Sequence, residues 1–150
     1  MNKKPIIIVA GEPNSIFLEI FFKCIKKNNY KSPLVIIVSK KLLIKQMKCL
    51  GYDFKLNQIN LNIVNFEKLN NKKINIINID YNFKNGFEKI SKKSNEYIKK
   101  SFKIALEIIK KNKFSKFVNG PISKRYFLEG KILGITEYLA KKSKIKNEVV

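Results

Sequence analysis

The chain has 150 residues, enough to bury one ordinary core, and 45% of them are hydrophobic, which argues against disorder and sets one domain, or part of one, as the expectation. Its formal charge of +21 points first to nucleic acid or an anionic membrane surface, yet among 32 basic residues only Arg125 carries the bidentate guanidinium that phosphate and base readers favour. Lys, Asn and Ile are over-used together and share A/T-rich codons, so the charge reads as compositional, spread over solvated helix faces.

At the amino terminus, Met-Asn-Lys-Lys-Pro leads into about six apolar residues, too few for a signal-peptide core or a membrane span. The expected location is the cytoplasm, with no membrane partner. The run Ile6-Ile7-Ile8-Val9-Ala10 is β-branched throughout, as in a strand covered on both faces of a largely parallel sheet. Gly11-Glu12-Pro13-Asn14 ends it, and Ser15 is placed to cap a helix whose apolar face is read as Ile16, Phe17, Ile20, Phe21 and Cys24. Leu34-Val35-Ile36-Ile37-Val38 is a second buried strand. Ser39 then caps a helix carrying Leu42, Leu43, Met47 and Leu50 at helical spacing until Gly51 closes it.

Two βα units in fifty residues predict an α/β architecture. Between them and the next long helix, residues 54–56, 63–66 and 74–79 are strand candidates separated by Asn- and Lys-rich turns, and 80–87 is a loop with Gly86 as its flexible point. A covering helix is expected over 90–111, with Ile98, Phe102, Ala105 and Ile109 on one side, and a strand over 114–118. Cys24 and Cys49 lie in expected helices without a CxxC spacing, as buried or half-buried thiols of a reducing compartment. The final Glu148-Val149-Val150 reads as the start of a strand with nothing after it, which suggests a fragment or truncated product.

Residues 118–140 carry the chemical signal. Phe117-Val118 stops at Asn119-Gly120-Pro121, a strand end followed by a turn and an expected helix start whose first N–H groups, with Ser123 and Lys124 beside them, would attract an anion. In open α/β sheets ligands bind at such carboxyl ends. Thr136 can contact a substrate through its hydroxyl or cap a helix over 137–142; Lys124 can assist near a phosphate or be a solvated surface lysine; Glu137 suits a helix start electrostatically. No Gly-x-Gly-x-x-Gly, Walker motif or metal-ligand cluster is visible, and the chain has no histidine.

Gly120-Pro121-Ile122-Ser123-Lys124 followed by Gly134-Ile135-Thr136-Glu137-Tyr138-Leu139-Ala140 resembles the signature of the NAD-dependent 4-hydroxythreonine-4-phosphate dehydrogenases of pyridoxal phosphate biosynthesis. That family reads Gly-His-Thr-Glu in the second element, where the His and Thr bind substrate; here Thr136 is kept and Ile135 takes the place of the His. Near the amino terminus the family's Gly-Asp-Pro-Ala-Gly-Ile-Gly-Pro-Glu is matched at Gly11, Pro13, Ile16 and Glu19, with Glu12 for the Asp. The resemblance implies an isocitrate/isopropylmalate-dehydrogenase-like α/β fold, a mostly parallel sheet with flanking helices, of which residues 1–150 would be a single unit in the amino-terminal part of a two-lobed enzyme.

It implies further that substrate contacts fall at Thr136, Ile135 and Lys124, that NAD binds without a Rossmann fingerprint, and that a divalent metal is held by histidines outside this chain, partly across a homodimer. By that resemblance the partner molecule is a phosphorylated small substrate, and the chain alone is expected to be inactive. The alternatives are a catalytically dead remnant or dimerisation scaffold, and a lysine-driven nucleic-acid-binding protein; no specific nucleic acid is expected.

Overall fold

The structure, a computed structural model, describes residues 3–130 and 132–143. The strand start expected at 148–150 lies outside them. In chain order the elements are β1 (Ile6–Val9), α1 (Phe17–Lys27), β2 (Leu34–Val38), α2 (Lys40–Cys49), β3 (Leu56–Gln58), β4 (Ile74–Asn78), α3 (Asn95–Asn112), β5 (Phe117–Asn119) and α4 (Ile135–Ser143). The strands form one sheet in the order β3-β4-β2-β1-β5, and every pairing is parallel, as the unbroken β-branched runs require. The expected α/β fold with helices on both faces is therefore present.

Alternation along the strands divides the core in two. Ile8, Ile36, Val38 and Ile76 face α1 and α2, where Leu18, Phe21, Phe22, Leu43 and Met47 cover them. Ile7, Val9, Val35, Ile37 and Ile77 face the other way, under Tyr97, Ile98, Phe102 and Ala105 of α3, with Phe127 and Tyr138 closing the same layer. Each fully buried side chain of the size of Phe22 or Phe102 contributes about 1.5–3 kcal/mol relative to exposure.

Several local expectations change. The turn of α1 begins at Ile16, which has no side-chain cap bond, because the Ser15 hydroxyl donates to Glu12 O at 2.7 Å while accepting Phe17 N at 3.3 Å. The buried face of α1 is Leu18, Phe21 and Phe22; Ile16 and Ile20, expected inside, are 66% and 46% exposed. With apolar residues on nearly every side of 16–22, periodicity alone could not choose the face. Ser39 does cap α2, accepting Leu42 N.

Residues 63–66 are not a strand. Asn60 and Asn65 side chains accept the N–H groups of Asn62 and Glu67, a local bonding that competes with a ladder, and the chain makes turns ending in a 3₁₀ turn at Phe66–Lys68. The strand expected over 54–56 sits at Leu56–Gln58, while Phe54 stacks on Phe22 and Tyr52 instead. The long helix starts at Asn95 after a 3₁₀ turn at Lys92–Ser94, and the last strand is shifted to Phe117–Asn119 because Phe114 turns to pack edge-on against Phe66. Cys24 is half-buried as expected, but Cys49 is exposed at the end of α2.

Candidate functional site

Sheet order changes direction at β1, whose neighbours are β2 on one side and β5 on the other. The carboxyl ends of β1 and β5 are thus a topological switch point, where loops leave in different directions and open a crevice. Two glycines make their crossing possible. Gly11 sits at φ +77°, and a Cβ there would lie 2.3 Å from Pro121 O; a Cβ on Gly120 would lie 2.1 Å from Ala10 O and 2.9 Å from the Phe17 ring. The backbones are bonded to each other across this contact, Gly120 N to Val9 O at 2.7 Å and Glu12 N to Pro121 O at 2.8 Å.

Beyond Pro121 the chain does not enter a helix. It forms a turn in which Ser123 O accepts Phe127 N at 2.8 Å and Ser123 Oγ accepts Tyr126 N at 3.1 Å. The apolar residues that follow, Phe127 and Leu128, are pulled into the core beside Phe102 before a helical turn can propagate. Among the described residues nothing accepts the N–H groups of Ser123, Lys124 and Arg125 in this turn. Lys124 and Arg125 are exposed next to them, Arg125 lying over the Tyr126 ring at 5.4 Å. The chemistry available here is attraction of an anion by free N–H groups and cations.

The second half of the motif lies on α4. This helix begins at Ile135, one residue before the expected cap position, so Thr136 is in its first turn and exposed. The end is held instead by Glu137, whose carboxylate accepts Leu133 N at 2.8 Å and pairs with Lys141 at 2.9 Å. Lys141 and that backbone N–H hold the Glu137 carboxyl below its ordinary value, which marks it as structural. Ile135 is half-buried and packs against the α3 side of the core, as does Ile122 of the first half. The described cavities of about 430 to 710 Å³ lie elsewhere, the largest between α3 and α4, and none is lined by Lys124, Ile135 or Thr136.

Sequence reasoning gave Glu12 and Glu19 only a positional likeness. Glu19 is a half-buried partner of Lys23 at 2.6 Å. Glu12 is different: it is 2% exposed at the crossing itself, accepts Ser94 Oγ at 2.7 Å and Asn14 N at 3.3 Å, and its burial pushes the carboxyl above the ordinary range. Asn14 continues outward, donating to Tyr81 Oη at 3.3 Å and accepting Glu88 N at 3.2 Å, while Gln46 ties Pro13 O and Gly86 O together from below. The signal available in sequence was an acidic residue directly after a buried strand and a glycine, a position with no easy access to solvent.

Among the described residues no group of three or more His, Cys, Asp or Glu side chains could hold a metal ion. A divalent metal therefore does not fit the donors that the described residues offer. No described helix is long and apolar enough to cross a membrane.

A family model described as pyridoxal phosphate biosynthetic protein PdxA matches residues 29–150. No match is found among curated proteins. Among solved structures, the chain is similar to a 4-hydroxythreonine-4-phosphate dehydrogenase from Burkholderia phymatum, with a TM-score of 0.76 and 19% identity over 97% of this chain and 45% of that one. A putative 4-hydroxythreonine-4-phosphate dehydrogenase from Salmonella typhimurium gives a TM-score of 0.74 and 20% identity over 97% of this chain and 46% of that one. The enzyme of that name from Klebsiella pneumoniae gives 0.70 and 18%, over 95% and 45%. The chain spans less than half the length of each of these structures.

Proposed function

Since the chain belongs to the pyridoxal phosphate biosynthetic protein PdxA family, we propose that it corresponds to the amino-terminal portion of a 4-hydroxythreonine-4-phosphate dehydrogenase and contributes one wall of a site for a phosphorylated hydroxy-amino-acid substrate. The observation that carries this reading is the glycine crossing of β1 and β5, which sets the turn at 120–124 on the carboxyl edge of the sheet beside free N–H groups. Lys124 and those N–H groups would face the phosphate; Thr136 would add a hydroxyl; Ile135 would offer an apolar surface at the position of the family histidine.

The exposure of Lys124 and Thr136 outside any described cavity supports a site whose opposite wall is built by chain that this sequence does not span. NAD would be the hydride acceptor of the complete enzyme, and a divalent metal would polarise the substrate hydroxyl there. In this division of labour the residues of this chain bind and orient the substrate. A homodimer in the cytoplasm accords with the family reading. A second reading, a remnant kept as a scaffold, is favoured by Ile135 and by the absence of histidine.

The test has two arms. Incubated with 4-phosphohydroxy-L-threonine, NAD and a divalent metal, this chain alone is expected to form no NADH above a protein-free control; metal-dependent turnover would overturn the division of labour. In a ¹⁵N-labelled sample, titration with the same substrate is expected to move the amides of Ser123, Lys124, Arg125 and Thr136. If none of them moves at millimolar substrate, the wall reading falls and the scaffold stands.

A further inference from the structure

Glu12 and Ser94 form a buried pair that the substrate-wall reading does not use. Ser94 Oγ lies 2.7 Å from Glu12 Oε2 and 3.0 Å from Ser91 O. A serine hydroxyl has one proton, so it cannot donate to a carboxylate and to a carbonyl at once. With Glu12 ionised, either Glu12 Oε2 or the half-buried Ser91 O loses its donor. With Glu12 protonated, the acid donates to Ser94 Oγ, Ser94 donates to Ser91 O, and both contacts are satisfied in one direction. Both side chains are almost wholly buried, and none of the described ion pairs includes Glu12. A buried carboxylate without a cation is the costly state.

This pair sits in a closed ring of contacts around the turn described above. Glu12 N donates to Pro121 O at 2.8 Å; Ser94 leads directly into α3, whose first residue Asn95 donates to Tyr126 O at 2.8 Å; Tyr126 N returns to Ser123 Oγ at 3.1 Å. The turn at 121–126 is thus tied to β1 at one end and to α3 at the other, and Glu12 with Ser94 joins the two ties.

We propose that Glu12 is a positioning residue that works as a neutral acid, donating to Ser94 Oγ while Ser94 donates to Ser91 O, and that this relay clamps the turn at 121–126 between β1 and the start of α3. When Glu12 releases its proton to solvent, the relay loses one hydrogen bond and the clamp loosens. The other titratable groups nearby are otherwise engaged: Tyr81 receives Asn14 and lies under Lys93, Lys93 pairs with Glu88 at 3.4 Å, and the Tyr97 hydroxyl accepts Ser39 N. The upward displacement of the Glu12 pKa by burial agrees with this geometry. The proposal needs the turn only as a structural element, so it stands or falls separately from substrate binding.

The test is an NMR titration of the 150-residue chain with ¹³C-labelled carboxyl groups, combined with amide exchange corrected for intrinsic base catalysis. Glu12 is expected to titrate above 4.5, and exchange at Tyr126 and Phe127 to quicken about tenfold as pH rises through that midpoint. Glu12→Gln places an N–H donor where the acid proton was, so its turn should stay protected across the range. Ser94→Ala should leave the turn open at every pH, with amides of β2 reporting that the core is intact; should that variant unfold, the wild type against Glu12→Gln still decides. A Glu12 midpoint at or below 4.5, a turn whose exchange ignores pH in the wild type, or the same pH response in Glu12→Gln would overturn the clamp.

Discussion

The two halves of the candidate motif are built in opposite ways. At 119–126 the backbone is pressed against β1 by two glycines and tied by hydrogen bonds on both sides. At 134–137 it is held by one half-buried glutamate and by apolar packing underneath, and the residue of chemical interest, Thr136, stands free at the surface. The first half is over-determined by the fold, whereas the second rests on few contacts of its own. The glycines report the difference most directly, for Gly120 has no room for a methyl group while Gly134 has nothing within 4 Å of the position a Cβ would take.

That contrast gives the largest expected effect. Gly120→Ala would drive a Cβ into Ala10 O, a backbone atom that cannot swing aside, and should destabilise the fold by about 3 kcal/mol or more. Gly134→Ala should be neutral or stabilising by up to about 1 kcal/mol, through the unfolded chain. Urea unfolding followed by circular dichroism measures both, and similar losses in the two variants would remove the basis of the comparison.

The sequence carried part of this and not the rest, for reasons visible in particular residues. β1, β2 and the Ser39 cap of α2 could be read because buried β-branched runs and a serine before a helical pattern leave one solution each. The Gly120 turn could be placed, yet not its continuation, since Phe127 and Leu128 are drawn into the α3 layer by a contact far away in sequence. Ile16 and Ile20 stay outside, against their apolar character, because hydrophobicity does not say which of two apolar faces wins. The Asn-rich stretch around 60–65 forms no strand because side-chain bonds to neighbouring N–H groups outcompete strand pairing. Glu12 was visible as a letter after a strand, but its burial depends on Ser94, 82 residues on.

The two halves should also answer pH with opposite signs. Burial raises the Glu12 pKa in the folded state, so its contribution to stability is complete below the unfolded value of 4.5 and is lost as pH rises through the folded value. Lys141 and Leu133 N lower that of Glu137, so its contribution is present above 4.5 and lost as pH falls through the folded value. Acidification should therefore tighten the turn at 121–126 while fraying the start of α4. Amide exchange at Tyr126 and at Leu133, followed in one sample from pH 3 to 8, would show the two changing in opposite directions; a common direction would mean that one global transition governs both.

Thr136→Ala should change stability by less than about 0.5 kcal/mol, because the side chain is exposed and no described partner is lost. The same substitution should weaken binding of 4-phosphohydroxy-L-threonine if the hydroxyl takes part, by about 0.5–1.5 kcal/mol for one hydrogen bond. Isothermal titration and thermal unfolding on the same protein separate these readouts. Loss of stability with unchanged binding would return Thr136 to a purely structural role.

The smallest effect is expected at Ile135, where two terms oppose each other. The side chain is half-buried against the α3 side of the core, so Ile135→His gives up apolar contact and should cost about 1 kcal/mol of stability. In exchange it adds a donor and acceptor to the wall proposed for the substrate. One such hydrogen bond on an open surface is worth about 1 kcal/mol, or roughly fivefold in affinity for the phosphorylated substrate. Because the imidazole would titrate near neutrality, the gain for an anionic substrate should grow as pH falls below about 6.5, which no change in packing alone would produce. Titration at two pH values on either side of that point decides it: affinity that rises only in the variant, and more at the lower pH, supports a retained site at the start of α4. Equal affinities for both proteins at both pH values would mean that the residue no longer faces a ligand, and that Ile135 is simply part of the core.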